Sequence, residues 1–141
     1  KSPFFHEYGS KILEIYNETW MSLNELLRGS MDLFFNMLGI NTIKQYSSEM
    51  DVKGKKSKLI INLCKEVGAT SYISGPFGRD YLNINYFEEA GIEVLFHDYN
   101  HPKYLQGNDK FVSNLSVIDL IFNKGPKSLS FITTGQTLTS N

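Results

Sequence analysis

Apolar residues recur three and four apart through the first third of the chain. Phe5, Tyr8, Ile12 and Ile15 with Tyr16 line one face of a helix. Trp20–Leu38 reads as a longer helix whose stripe is Leu23, Leu26, Leu27, Phe34, Met37 and Leu38. Ser22 and Glu25 stand at capping-box spacing, Gly39 is a C-terminal stop, and Gly29-Ser30 is expected to loosen the middle. Ile40–Tyr46 reads as a strand and Ser47–Lys56 as a polar loop. A third helix follows, with Ser57 as its cap, Leu59, Ile60, Leu63, Cys64 and Val67 as its apolar face, and Gly68 as its end. Thr70–Ser74 is the second strand, Ile84–Ala90 a short helix stopped by Gly91, and Ile92–Phe96 the third strand. His97–Lys110 is a polar, aromatic loop, and Ser116–Phe122 is the last helix, with Ser116 and Asp119 again at capping-box spacing before Gly125-Pro126.

The pattern is therefore α-α-β-α-β-α-β-α, which predicts an α/β fold with a parallel sheet and right-handed crossovers. Three parallel strands make a thin sheet, and such strands want cover on both faces. That thinness, with the abrupt start at Lys1-Ser2-Pro3 and no initial Met, points to an incomplete domain with further strands upstream. Residues 1–126 are expected to form this part of the domain. Residues 127–141, rich in Ser and Thr and poor in periodicity, are expected to form a disordered tail.

Composition narrows the class without naming a chemistry. The chain has 141 residues, 41% of them apolar and 13% aromatic, enough for a core. Lys and Arg number 14 against 15 Asp and Glu, so there is no overall pull toward nucleic acid or an anionic membrane. The single cysteine, Cys64, excludes an intrachain disulfide and fits a cytoplasmic protein. No apolar run approaches the roughly 18 residues of a membrane span.

Three polar clusters carry the candidate chemistry. The first is Thr70–Leu82, TSYISGPFGRDYL, where a strand empties into a loop with Gly75, Pro76 and Gly78 that delivers Arg79, Asp80 and Tyr81. In α/β sheets ligands sit at strand C-termini, glycines let backbone approach them, and an arginine fork can grip a carboxylate or phosphate. Ser74, Gly75, Gly78, Arg79 and Tyr81 are therefore candidate binding residues, although a tight turn beside an Arg–Asp pair reads the same way. The second is Lys53-Gly54-Lys55-Lys56-Ser57-Lys58. Lysines at a helix N-terminus oppose the macrodipole unless an anion sits there, so Lys55, Lys56 and Ser57 are candidates beside the plainer reading of a solvated loop. The third is His97, Asp98, His101 and Tyr104, the raw material of acid–base catalysis. Two histidines and an aspartate without a known spacing do not make a metal site, and no residue pattern names a cofactor. His6 reads as surface and Cys64 as an inert core thiol.

Taken in order, several blocks resemble the bacterial WbqC-like proteins. They are Gly54-Lys55-Lys56-Ser57 with Leu59, Leu63–Ala69, Tyr72–Pro76 with Gly78–Leu82, and Phe87–Ile92. His101-Pro102 with Tyr104 and Gln106, and Leu115-Ser116 with Ile118–Leu120 and Phe122-Asn123, complete the set. The resemblance runs from about residue 53 to residue 126, more loosely before that, and not beyond Pro126. The family's N-terminal His-Gln-Pro and Tyr-Leu-Pro-Trp signature is absent, so the chain resembles the C-terminal part of such a protein. Phe111–Leu115 also lacks a proline expected there.

The resemblance implies a place in O-antigen or other surface-polysaccharide synthesis, with glycyl or other acyl transfer to an activated sugar. By motif position it directs attention to Arg79, Asp80, Tyr81, His101, Tyr104 and Asp119. Two readings follow. In one, an enzyme holds an anionic nucleotide-sugar or acyl donor with Lys55, Lys56 and Arg79, His97 or His101 moves a proton, and Asp80 orients. In the other, a non-catalytic assembly factor contacts a protein of the polysaccharide pathway through the aromatic loop Phe96–Tyr104.

Overall fold

The computed structural model describes residues 2–107 and 110–140. The chain is a mixed α/β protein. Its elements are α1 (Phe5–Asn17), α2 (Leu23–Leu38), α3 (Lys56–Glu66), β1 (Ser71–Ser74), α4 (Gly78–Tyr81), α5 (Ile84–Glu89), β2 (Glu93–Tyr99), α6 (Val117–Lys124), α7 (Ser128–Thr134) and β3 (Gln136–Ser140). They fall into two compact units, residues 1–42 with 101–135 and residues 43–100 with 136–141.

The first unit is helical. Ser22 caps α2 by accepting from the Glu25 N–H, and the Glu25 carboxylate accepts from the Met21 N–H, one residue earlier than a capping box requires. Gly39 closes the helix in the left-handed region, at φ 70°. Gly29 does not loosen α2. It makes room for the Trp20 ring, which lies against it while the indole N–H donates to the Ile15 carbonyl at 2.9 Å. α1 packs on α6 through a Phe5–Phe122 edge contact, with ring centroids 5.1 Å apart. Tyr8, Ile12, Leu120 and Ile121 are buried in this unit.

The second unit holds the sheet, in the order β1-β2-β3. β1 and β2 run parallel, with Tyr72 opposite Val94 and Ser74 opposite Phe96. β2 and β3 run antiparallel, with Phe96 opposite Thr139 and Asp98 opposite Thr137. The expected all-parallel sheet is thus corrected to one parallel and one antiparallel pair. Phe87 and Phe96, both 0% exposed, centre a core completed by Ile61, Cys64, Leu82, Ile92 and Val94. Burial pushes the Cys64 thiol and the Tyr72 phenol above their ordinary values, as an inert core thiol requires.

Three further expectations change. Residues 40–46 form no strand: they pair with no sheet edge, and Ile43 stays 87% exposed. β2 continues past Phe96 to Tyr99, because β3 supplies hydrogen-bonding partners for Leu95–Tyr99. The stretch expected to fray contains α7 and β3. Its Thr-rich end lacks an apolar period, but Thr suits a pleated strand, and the β2 ladder satisfies its backbone. Asn108, Asp109 and the two terminal residues lie outside the described residues.

Candidate functional site

Ser74, 3% exposed, ends β1, and the following Gly75–Tyr81 is a tight turn running into the single helical turn α4. The Gly75 carbonyl accepts from the Gly78 N–H at 2.9 Å. Gly78 is buried against Ser74, and a Cβ there would drive into the Ser74 hydroxyl and lie 3.1 Å from Leu82 Cδ1. Gly78 is therefore required by packing. Gly75 is exposed, with open space where its Cβ would stand.

α4 aims Arg79 back over the sheet. Its guanidinium lies 4.3 Å above the Phe96 ring. Arg79 forks onto Asp98, with Nη1 to Oδ1 at 3.4 Å and Nη2 to Oδ2 at 3.1 Å, and Nη2 also donates to Thr139 Oγ1 at 2.8 Å. Thr139 in turn donates to Asp98 at 3.3 Å. The Arg79 side chain is 38% exposed and that of Asp98 42%, so the clasp is open to water. Asp80 and Tyr81 are exposed on the same turn.

The lysine segment meets this turn through Ser57. The serine does not cap α3. Its buried hydroxyl accepts from the Asn83 N–H at 3.0 Å, tying the start of α3 to the residue after Leu82. Lys55 and Lys56 are exposed there, and Lys56 holds a left-handed φ of 53°. Lys58 Nζ lies 5.3 Å from the Tyr86 ring centroid.

The histidines do not join this group as a cluster. His97 precedes Asp98 in a strand, so the two project from opposite faces of the sheet. On its own face His97 stacks with Tyr99, centroids 6.2 Å apart. His101 belongs to the other unit. There its ring stands 5.8 Å from Tyr104 and 5.6 Å from Phe111, and its Nδ1 lies 3.0 Å from the Pro102 carbonyl.

In that helical unit a second polar network surrounds Asp119. Asp119 does not complete a capping box; Ser116 Oγ accepts from the Ile118 N–H. The Asp119 carboxylate accepts from Tyr104 Oη at 2.9 Å, Gln106 Nε2 at 3.2 Å and Asn123 Nδ2 at 3.2 Å. Gln106 also closes both of its amide ends on the Val112 backbone. Within the segment expected as an aromatic contact surface, Phe96–Tyr104, Phe96 is 0% and Tyr104 8% exposed, while Tyr99 is 40% exposed. The sequence reading missed Thr139 entirely. No local signal marks it, since its partner Arg79 lies 60 residues away.

Among the described residues no group of three His, Cys, Asp or Glu converges as a metal site, and no helix is long and apolar enough to cross a membrane.

The WbqC-like protein family matches residues 1–131. The chain belongs to that family. The match takes in the helical first third and part of α7 as well as the blocks between residues 53 and 126. An uncharacterized protein of Mycobacterium tuberculosis is 31% identical to this WbqC-like chain over 130 residues, 91% of the chain. The WbqC-like chain spans 56% of that relative's length. No solved structure matches it.

Proposed function

We propose that this WbqC-like protein acts in the synthesis of bacterial surface polysaccharide, transferring a glycyl or other acyl group from an anionic donor to an activated sugar. The observation that carries the reading is the Ser57–Asn83 bond, which ties the lysine segment to the turn bearing Arg79, Asp80 and Tyr81. Arg79 already engages a carboxylate through two nitrogens, the geometry with which it would take a donor phosphate or carboxylate in exchange for Asp98. Lys55 and Lys56 supply further positive charge. Asp80, exposed one residue from Arg79, is the group on this turn able to take the proton released when the sugar's amine or hydroxyl attacks the acyl carbonyl and the anionic carrier departs.

Thermal-shift measurements at low salt, with nucleotides, nucleotide-sugars and glycine, test it. A ligand bound only by the folded state raises the midpoint, and Arg79→Ala or Lys55→Ala with Lys56→Ala abolishes the shift. Asp80→Asn keeps the shift and loses turnover. Absence of any shift overturns the reading.

A non-catalytic assembly factor is the second reading. It is favoured by an apolar groove of about 670 Å³ lined by Ile43, Met50, Ile60, Leu63, Val67 and Tyr72 among others, apart from Arg79 and the lysines.

A further inference from the structure

The carboxylate of Asp98 marks a place where three hydrogen-bond donors converge. Oδ1 accepts from Arg79 Nη1 at 3.4 Å. Oδ2 accepts twice, from Arg79 Nη2 at 3.1 Å and from the Thr139 hydroxyl at 3.3 Å. Arg79 and Thr139 have supports besides Asp98. The guanidinium rests on the Phe96 ring at 4.3 Å, and its shortest bond, 2.8 Å, runs from Nη2 to Thr139 Oγ1. The β2–β3 ladder sets Thr139 directly opposite Phe96, so its side chain shares the sheet face of that ring. The Asp98 side chain is 42% exposed and has water beside it to turn into. Thr139 stands on β3, outside the matched residues 1–131, so the family blocks that direct attention to Arg79 do not reach it.

Building on the reading of Arg79 as an anion site, on which this inference rests, we propose that the Asp98 carboxylate is an internal stand-in for the ligand and that Thr139 is a ligand-binding residue. An oxyanion with at least two oxygens, a carboxylate or a phosphate, takes the places of Oδ1 and Oδ2 while Asp98 turns to water. Arg79 keeps its bond to Thr139 and offers the same two-nitrogen fork. The Thr139 hydroxyl, fixed by the ladder, redirects its proton from Oδ2 to the oxygen that replaces it. One ligand oxygen then accepts two hydrogen bonds and the other accepts one. Chloride, a single atom, cannot fill both positions. Asp98 is thus a competitor tethered to the site, and the apparent affinity for an added anion falls with the fraction of chains in which Asp98 holds the fork. An exposed ion pair favours its closed form by about fivefold at most, so this competitor is displaceable.

NMR titrations of the 141-residue chain, following the Arg79 Nε–H, test the exchange. Inorganic phosphate and acetate serve as separate probes, each against sodium chloride at equal ionic strength. Asp98→Ala is expected to bind about fivefold tighter than wild type, because the competitor is gone. Thr139→Val is expected to bind about tenfold more weakly, because a hydrogen bond to a charged ligand is lost, whereas Thr139→Ser keeps the hydroxyl and the affinity. The backbone amide spectrum of each variant checks that its fold is kept. Tightening for phosphate alone assigns the site to a phosphorylated ligand, tightening for acetate alone assigns it to a carboxylate, and either supports the proposal. If Asp98→Ala binds neither probe, the Arg79 anion site and the exchange fall together. If wild type binds as tightly as Asp98→Ala, the anion site stands and Asp98 is no stand-in. Equal losses in Thr139→Val and Thr139→Ser give Thr139 a packing role and overturn its part in binding.

Discussion

The Arg79 clasp and the Asp119 network use similar chemistry to different ends. Each centres on an aspartate that accepts from neighbouring side chains. Around Asp119 the donors are Tyr104, Gln106 and Asn123, and Tyr104 and Asn123 are themselves buried. Around Asp98 the donors are Arg79 and Thr139, with the ion pair more than a third exposed on both sides. A buried donor that loses its acceptor bears the full cost of desolvation, whereas an exposed one turns to water. The first network therefore holds a loop on a helix, whereas the second lies open to water. A polar residue shared with a family motif is thus not by itself a binding residue.

Asp119→Ala should produce the largest effect. It takes the carboxylate from the buried Tyr104 hydroxyl, while Gln106 keeps the Val112 backbone and Asn123 keeps the Asp119 carbonyl, and about 3 kcal/mol of stability should disappear. Urea unfolding reads this as a fall in midpoint at unchanged slope. A loss below about 0.5 kcal/mol, the usual surface value, would mean that the network does not secure the loop.

Gly78→Ala probes the turn beneath Arg79. The added methyl meets the Ser74 hydroxyl and Leu82, so overpacking should cost about 2 kcal/mol. Arg79→Ala should have the smallest effect, under about 1 kcal/mol, because the exposed ion pair contributes little net stability. The sharp comparison is between these two neighbours: one variant loses stability through packing, the other keeps its stability and loses anion binding. An Arg79→Ala loss as large as that of Asp119→Ala would make both networks structural and remove the Arg79 site.

The helical unit was largely legible. Ser22, Gly39 and Ser116 act where their spacing places them, because capping depends on residues within one turn of chain. Asp119 shows the limit of that reasoning. Its spacing from Ser116 matched a capping box, yet Tyr104 and Gln106, more than ten residues upstream, take its carboxylate. The opposed faces of His97 and Asp98 follow from alternation, but only once β2 is known to reach Tyr99.

What the sequence alone determined is the local structure: the amphipathic helices, most of their ends, the first two strands of the sheet and the family blocks. These follow from periodicity and capping over a few residues. The tertiary structure alone decided the direction of the third strand, the extension of β2, the Thr139–Asp98–Arg79 clasp and the buried role of Ser57. Each of these joins groups far apart in the chain. A backbone or side-chain hydrogen bond is settled by which partner folding brings within reach, and that proximity leaves no mark on either residue's own neighbours.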